Sequence, residues 1–118
     1  MKNIPFFNYP ALFEQRKDEY LDIVQDVLSR GAYIMQQDLI NFENDLAKYL
    51  GVKHAIGVAD GTMALLISLM AAGIGEGDEV IVPSHTFVAS AAAIHHSGAK
   101  PVLADCQEDH LIDPNSIS

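Results

Sequence analysis

The sharpest chemical signal in the chain is Gly57-Val58-Ala59-Asp60-Gly61-Thr62-Met63-Ala64-Leu65, where a short apolar run passes through Gly and Thr into an uncharged, helix-forming stretch. Backbone N–H groups at a helix start, a glycine that admits a ligand to the main chain and a threonine hydroxyl together suit an anion, most naturally a phosphate. No Gly-Lys-Ser/Thr follows and the spacing is not Gly-x-Gly-x-x-Gly, so this is neither a Walker A loop nor a dinucleotide fingerprint. The competing reading is that Gly61-Thr62 only turns the chain and caps the helix.

A second signal, Pro83-Ser84-His85-Thr86-Phe87-Val88-Ala89-Ser90, also stands between an apolar run and a helical one. Phe87 could offer an apolar face to an aromatic cofactor, or fill a core position in a first helical turn. Ligands of open α/β sheets bind outside the carboxyl ends of the strands. Both signals fall on one rim if strands 55–58 and 79–82 share a sheet.

Metal and thiol chemistry find less support. His95 and His96 are adjacent, and neighbouring helical positions point about 100° apart, so the two do not face one ion. The cluster Asp105-Cys106-Gln107-Glu108-Asp109-His110 lacks a paired zinc spacing, and no metal site is expected. Cys106 has only His110 nearby as a base, and a buried or half-buried thiol is the expectation.

The elements that must position these groups follow from periodicity. Residues 1–12, with two prolines and three aromatics, read as an extended arm. Tyr20, Ile23, Val24, Val27 and Leu28 set a helix over 16–30, stopped by Gly31. Leu39, Phe42, Leu46, Tyr49 and Leu50 set a second, with Asp38 as its expected cap and Gly51 as its end. Short β-like runs then alternate with helical ones: strand 55–58, helix 62–72, strand 79–82, helix 86–96 and strand 101–104. Val80-Ile81-Val82 and Val102-Leu103-Ala104 are continuously apolar, as strands covered on both faces tend to be. The pattern is βαβαβ, an α/β fold with a mostly parallel sheet. It divides the chain into 1–51, an arm with two helices, and 52–118, the alternating unit. Asp113-Pro114 writes a helix start with only four residues after it, so the expectation is a piece of a larger fold.

Composition sets the surroundings. Seven Lys and Arg against sixteen Asp and Glu leave a net charge of −9 over 118 residues, a poor field for nucleic acid or an anionic membrane. A hydrophobic fraction of 49% is that of a globular chain, and no uncharged helical stretch reaches the roughly 20 residues needed to span a bilayer. One cysteine and no Asn-x-Ser/Thr sequon point to the cytoplasm.

Taken in order, several stretches resemble the DegT/DnrJ/EryC1/StrS sugar aminotransferases, a family of fold type I pyridoxal 5′-phosphate enzymes. They are Gly31-Ala32-Tyr33-Ile34, the run from Phe42-Glu43 to Tyr49-Leu50-Gly51-Val52-Lys53-His54-Ala55, Gly61-Thr62-Met63-Ala64-Leu65, the run from Gly75 to Ser84, Thr86-Phe87-Val88-Ala89-Ser90, Gly98-Ala99-Lys100-Pro101-Val102, Asp105 and Ile112-Asp113-Pro114. The resemblance implies the N-terminal part of the PLP-binding large domain and an active site at a homodimer interface. Gly61, Thr62 and the Met63 amide would hold the cofactor phosphate, and Phe87 would stack on the pyridine ring. The implied reaction moves an amino group, usually from glutamate, to a keto group on a nucleotide-linked sugar, with the cofactor as electron sink.

Two departures accompany it. Lys2, Lys17, Lys48, Lys53 and Lys100 do not match the family's Schiff-base lysine motif, and the aspartate that pairs with the pyridinium nitrogen is also missing. No catalytic residue is therefore assigned, and these 118 residues alone are not expected to transaminate. Met35-Gln36-Gln37 also stands where many members carry a glycine-containing turn. Two alternatives remain: a non-catalytic assembly module derived from the family, and a small phosphate-binding α/β domain that only resembles it.

Overall fold

A computed structural model describes residues 4–117, which fall into two compact units, Met1–Gly57 and Val58–Ser118. The first unit is helical. Helix α1 (Tyr9–Gln15) begins where Asn8 Oδ1 accepts from Ala11 N–H at 3.3 Å, with Pro10 in its first turn. This corrects the extended arm expected over 1–12, of which residues 1–3 lie outside the described residues. Asn followed by an early proline is a start signal, because proline has no N–H to leave unpaired there.

Helix α2 (Lys17–Ser29) follows after Arg16, whose guanidinium forks onto Glu19 at 2.6 and 2.8 Å. That hydrogen bond and charge raise Arg16 and lower Glu19 from their ordinary titration. Gly31, at φ +67°, ends the helix as expected, and helix α3 (Gln37–Leu50) ends on left-handed Gly51. Asp38 does not cap α3. Gln36 occupies the cap, while Asp38 sits in the first turn and accepts from Arg30, which also pairs with Asp26 at 2.9 Å. A carboxylate in a first turn is favoured by the helix dipole and is free to take a cation. Donating first to Asp26 and then to Asp38 raises Arg30. Between the helices Met35 holds φ +44°, a conformation that glycine adopts without strain.

Strand 55–58 is absent, so the observed pattern is not βαβαβ. The segment runs without a β partner, and its Gly57 N–H donates to Glu43 Oε1 of α3 at 2.7 Å. A Cβ on Gly57 would stand 2.7 Å from Leu39 Cδ1, so the leucine side chain would have to move aside to admit one. Apolar composition alone did not supply a neighbouring strand.

The second unit is α/β. Helix α4 (Gly61–Ala71) and helix α5 (Val88–His96) pack together, and strands β1 (Glu79–Pro83) and β2 (Lys100–Ala104) pair in parallel from Glu79↔Lys100 to Pro83↔Ala104. Val82, Ile94 and Ala99 form the core, joined by Leu69, Ile74 and Val80. Since Val80 and Val82 enter the core, the intervening Ile81 faces the other way and remains 46% exposed. Only one face of this two-stranded sheet is covered, against the expectation of two.

Two turns lock together beside the strands. Gly75 N–H donates to Asp78 Oδ2, and Gly98, at φ +92°, leaves room for Glu76, whose N would lie 3.2 Å from a Cβ there. Beyond β2 a tight hairpin joins Cys106 and Ile112 by an antiparallel bridge, with Asp113 N–H donating to Asp105 O. Asp113-Pro114 opens a short 3-10 turn, Pro114–Ser116, with Asp113 accepting from Asn115 N–H. Among the described residues no helix is long and apolar enough to cross a membrane.

Candidate functional site

Gly61, Thr62 and Met63 form the first turn of α4. Asp60 precedes them in extended conformation, and its Oδ1 accepts from Met63 N–H at 2.9 Å. The capping reading of this segment is thus seen directly, with Asp60 as the cap. Met63 N–H is taken by the cap, while Gly61 and Thr62 N–H have no acceptor among the described residues. A Cβ built on Gly61 meets nothing within 4 Å, so the space beside Gly61 is open. Two free amides on the positive end of a helix dipole fit a phosphate group. Asp60 was not singled out from the sequence, although an acidic residue two positions before Thr62 is a legible cap signal.

Phe87 is the residue before α5, at φ −68° and ψ 140°, and is 75% exposed. Helix α5 therefore begins two residues later than the expected Thr86, and Phe87 is no core residue of this unit. The extended backbone of Phe87 itself leads its exposed ring into α5, and Thr86 Oγ1 and Ser90 Oγ stand 3.3 Å apart. Gly61 to Met63 and Phe87 open two helices that pack on each other.

One relationship escaped the sequence reading. His85, at the carboxyl end of β1, meets His110 of the 105–113 hairpin edge to face, with ring centroids 5.4 Å apart. His110 reaches it from a left-handed backbone at φ +66°. His110 therefore packs on His85, and Cys106 is a half-buried thiol within the hairpin bridge. His95 and His96 sit tilted at the end of α5, 5.7 Å apart, where the dipole favours positive charge. No group of three or more His, Cys, Asp or Glu among the described residues could hold a metal ion.

The chain is 42% identical over 112 residues to the dTDP-3-amino-3,4,6-trideoxy-alpha-D-glucose transaminase of Streptomyces venezuelae, covering 94% of this chain and 30% of the relative. It is 41% identical to the dTDP-3-amino-3,6-dideoxy-alpha-D-galactopyranose transaminase of Aneurinibacillus thermoaerophilus, covering 97% and 32%. Among solved structures, S. venezuelae DesV in complex with a ketimine intermediate superposes at TM-score 0.90 with 40% identity, over 99% of this chain and 32% of that one. Bacillus subtilis NtdA with bound PMP cofactor superposes at 0.89 with 32% identity, over 99% and 27%. The chain thus spans about 30% of the length of the relatives it matches. The sequence pattern of the DegT/DnrJ/EryC1/StrS aminotransferase family matches residues 14–118, and the chain belongs to that family.

Proposed function

We propose that this chain is the N-terminal, cofactor-phosphate-binding part of a PLP-dependent aminotransferase acting on a nucleotide-linked keto-sugar, with glutamate as amino donor. The observation that carries the proposal is the first turn of α4, where Gly61 and Thr62 keep two amides free, with open space beside Gly61, while Asp60 fixes the third. In this reading those amides and the Thr62 hydroxyl anchor the phosphate, and Phe87 lays its ring against the pyridine. When bound, the cofactor supplies the electron sink for the amino transfer. The residues here bind and orient; the proton-transferring lysine and the pyridinium partner belong to the remaining part of the fold. The assembled enzyme is a homodimer in this reading. Relatives named as transaminases of dTDP-linked sugars support the substrate class.

The test is a chimera in which this chain replaces the matching N-terminal segment of the S. venezuelae transaminase. Gly61→Pro is the informative variant. Proline is accommodated at the first helical position, and Asp60 already holds the extended backbone that proline requires before it. The substitution removes one N–H and leaves the helix. Pyridoxal phosphate should bind at least tenfold more weakly, while pyridoxal, without the phosphate, should be little affected. Equal effects on both would refute the phosphate assignment.

A further inference from the structure

Between the end of α3 and the start of α4 the chain has little to hold it. From Lys53 to Asp60, Gly57 N–H is the one main-chain amide with an acceptor among the described residues, and that acceptor is Glu43 Oε1, 2.7 Å away and 14 positions earlier. Leu39 and Glu43 are four residues apart, hence neighbours on the surface of α3. Both reach Gly57, since a Cβ there would meet Leu39 Cδ1 at 2.7 Å and Glu43 Oε1 at 3.3 Å. Glu43 is half-buried, whereas Asp38 and Asp45 on the same helix are exposed. Among these three carboxylates of α3, Glu43 is the one that accepts from the main chain.

What this bond controls follows from the place of Gly57 in the sequence. Only Val58 and Ala59 separate it from Asp60, which caps α4 through Met63 N–H, and so short a stretch of chain has little slack. Hydrogen bonds weaken steeply away from their best distance and angle, and the pull of a helix dipole fades within the first turn. Main-chain amides also have no rotatable side chain with which to follow a displaced ligand. A phosphate held by Gly61 and Thr62 N–H therefore depends on where the chain enters the turn.

We propose that Glu43 is a positioning residue for the cofactor phosphate: by accepting from Gly57 N–H it fixes the approach of the chain to the Gly61 and Thr62 amides. Its carboxylate acts through Gly57 and not on the cofactor. The role rests on the phosphate reading of that turn and extends it to a side chain of α3. Reach and an acceptor oxygen are what the bond requires, so an amide of the same length serves in place of the carboxylate. A carboxylate one methylene shorter does not.

The test titrates the full-length chimera with pyridoxal phosphate and with pyridoxal, followed by fluorescence. Glu43→Ala and Glu43→Asp should each weaken pyridoxal phosphate about tenfold, as the loss of one hydrogen bond to a charged group implies, and leave pyridoxal within about twofold. Glu43→Gln should stay within about threefold of the parent for both compounds. Asp45→Ala removes an exposed carboxylate from the same helix and should change neither. If circular dichroism shows that Glu43→Ala does not fold, Glu43→Asp carries the comparison. Equal losses for the two compounds, parent-like binding by the Ala and Asp variants, or a Gln variant as weak as Ala would overturn the proposal. With Gly61→Pro still selective against the phosphate ester, such a result removes only the role of Glu43. A non-selective Gly61→Pro removes the phosphate assignment and this role with it.

Discussion

Asp60 Oδ1 and Met63 N–H are joined at 2.9 Å, and this one bond decides which amides at the start of α4 remain for a ligand. It also places a carboxylate next to the position proposed for a phosphate. The arrangement stabilises the helix and opposes the anion at the same time.

Exchanging Asp60 separates those two effects. Asp60→Ala removes the cap and should cost about 1 kcal/mol of stability. Asp60→Asn keeps an acceptor for Met63 N–H and removes the negative charge, so stability should hold while pyridoxal phosphate binds several-fold more tightly to the chimera. Urea midpoints and fluorescence titration check the pair. Weaker binding by Asp60→Asn would place the phosphate away from this turn.

Phe87→Ala should leave the unfolding midpoint within about 0.5 kcal/mol of the parent, since the ring is exposed and lies outside the core. Cofactor affinity of the chimera should fall about tenfold. A large loss of stability with unchanged affinity would return Phe87 to a packing role.

The legibility of the chain follows its local signals. Helices α2 and α3 were readable because amphipathic spacing and Gly31 and Gly51 stops are local, and the 79–82 and 101–104 strands because their apolar runs are bounded by turns. Strand 55–58 was not a sound inference, because pairing depends on a neighbour and Gly57 instead ties to Glu43. Helix α1 was obscured because residues 1–12 show no usable apolar period, whereas Asn8 and Pro10 together mark a helix start. Within the candidate site, Gly61 and Thr62 were legible from composition, but the Asp60 cap was overlooked. The His85–His110 contact joins residues 25 positions apart and has no local signature.

Gly98→Ala should destabilise by about 1–3 kcal/mol. The residue holds φ +92°, and an added Cβ would press against the Glu76 backbone, which has no flexible side chain to yield. Chemical denaturation of the parent and variant measures it, and an unchanged midpoint would contradict the locked-turn description.

Met35 occupies the left-handed region at φ +44°, so Met35→Gly should be neutral or stabilising by up to about 1 kcal/mol, whereas β-branched Met35→Val should destabilise by a similar amount. The same denaturation series distinguishes them. Equal effects would mean that the turn relaxes to another conformation.

Lys100 and Glu79 face each other at the first register pair of β1 and β2, with Nζ 2.6 Å from Oε1, and that hydrogen bond and charge raise the lysine above its ordinary value. The pair's contribution is therefore complete below the ordinary lysine range and is lost as pH rises through the raised folded value. Thermal melts from neutral to strongly alkaline pH should show a small decline that Lys100→Met removes. An identical decline in both would assign it to other groups.

The measurement closest to the central claim is amide chemical-shift mapping on the chimera, with this chain's segment isotopically labelled, on adding pyridoxal phosphate and then pyridoxal. The account predicts that Gly61 and Thr62 shift strongly only with the phosphate ester, while Met63, bound to Asp60, moves less. Shifts centred elsewhere in this segment, or the same response to both compounds, would contradict it.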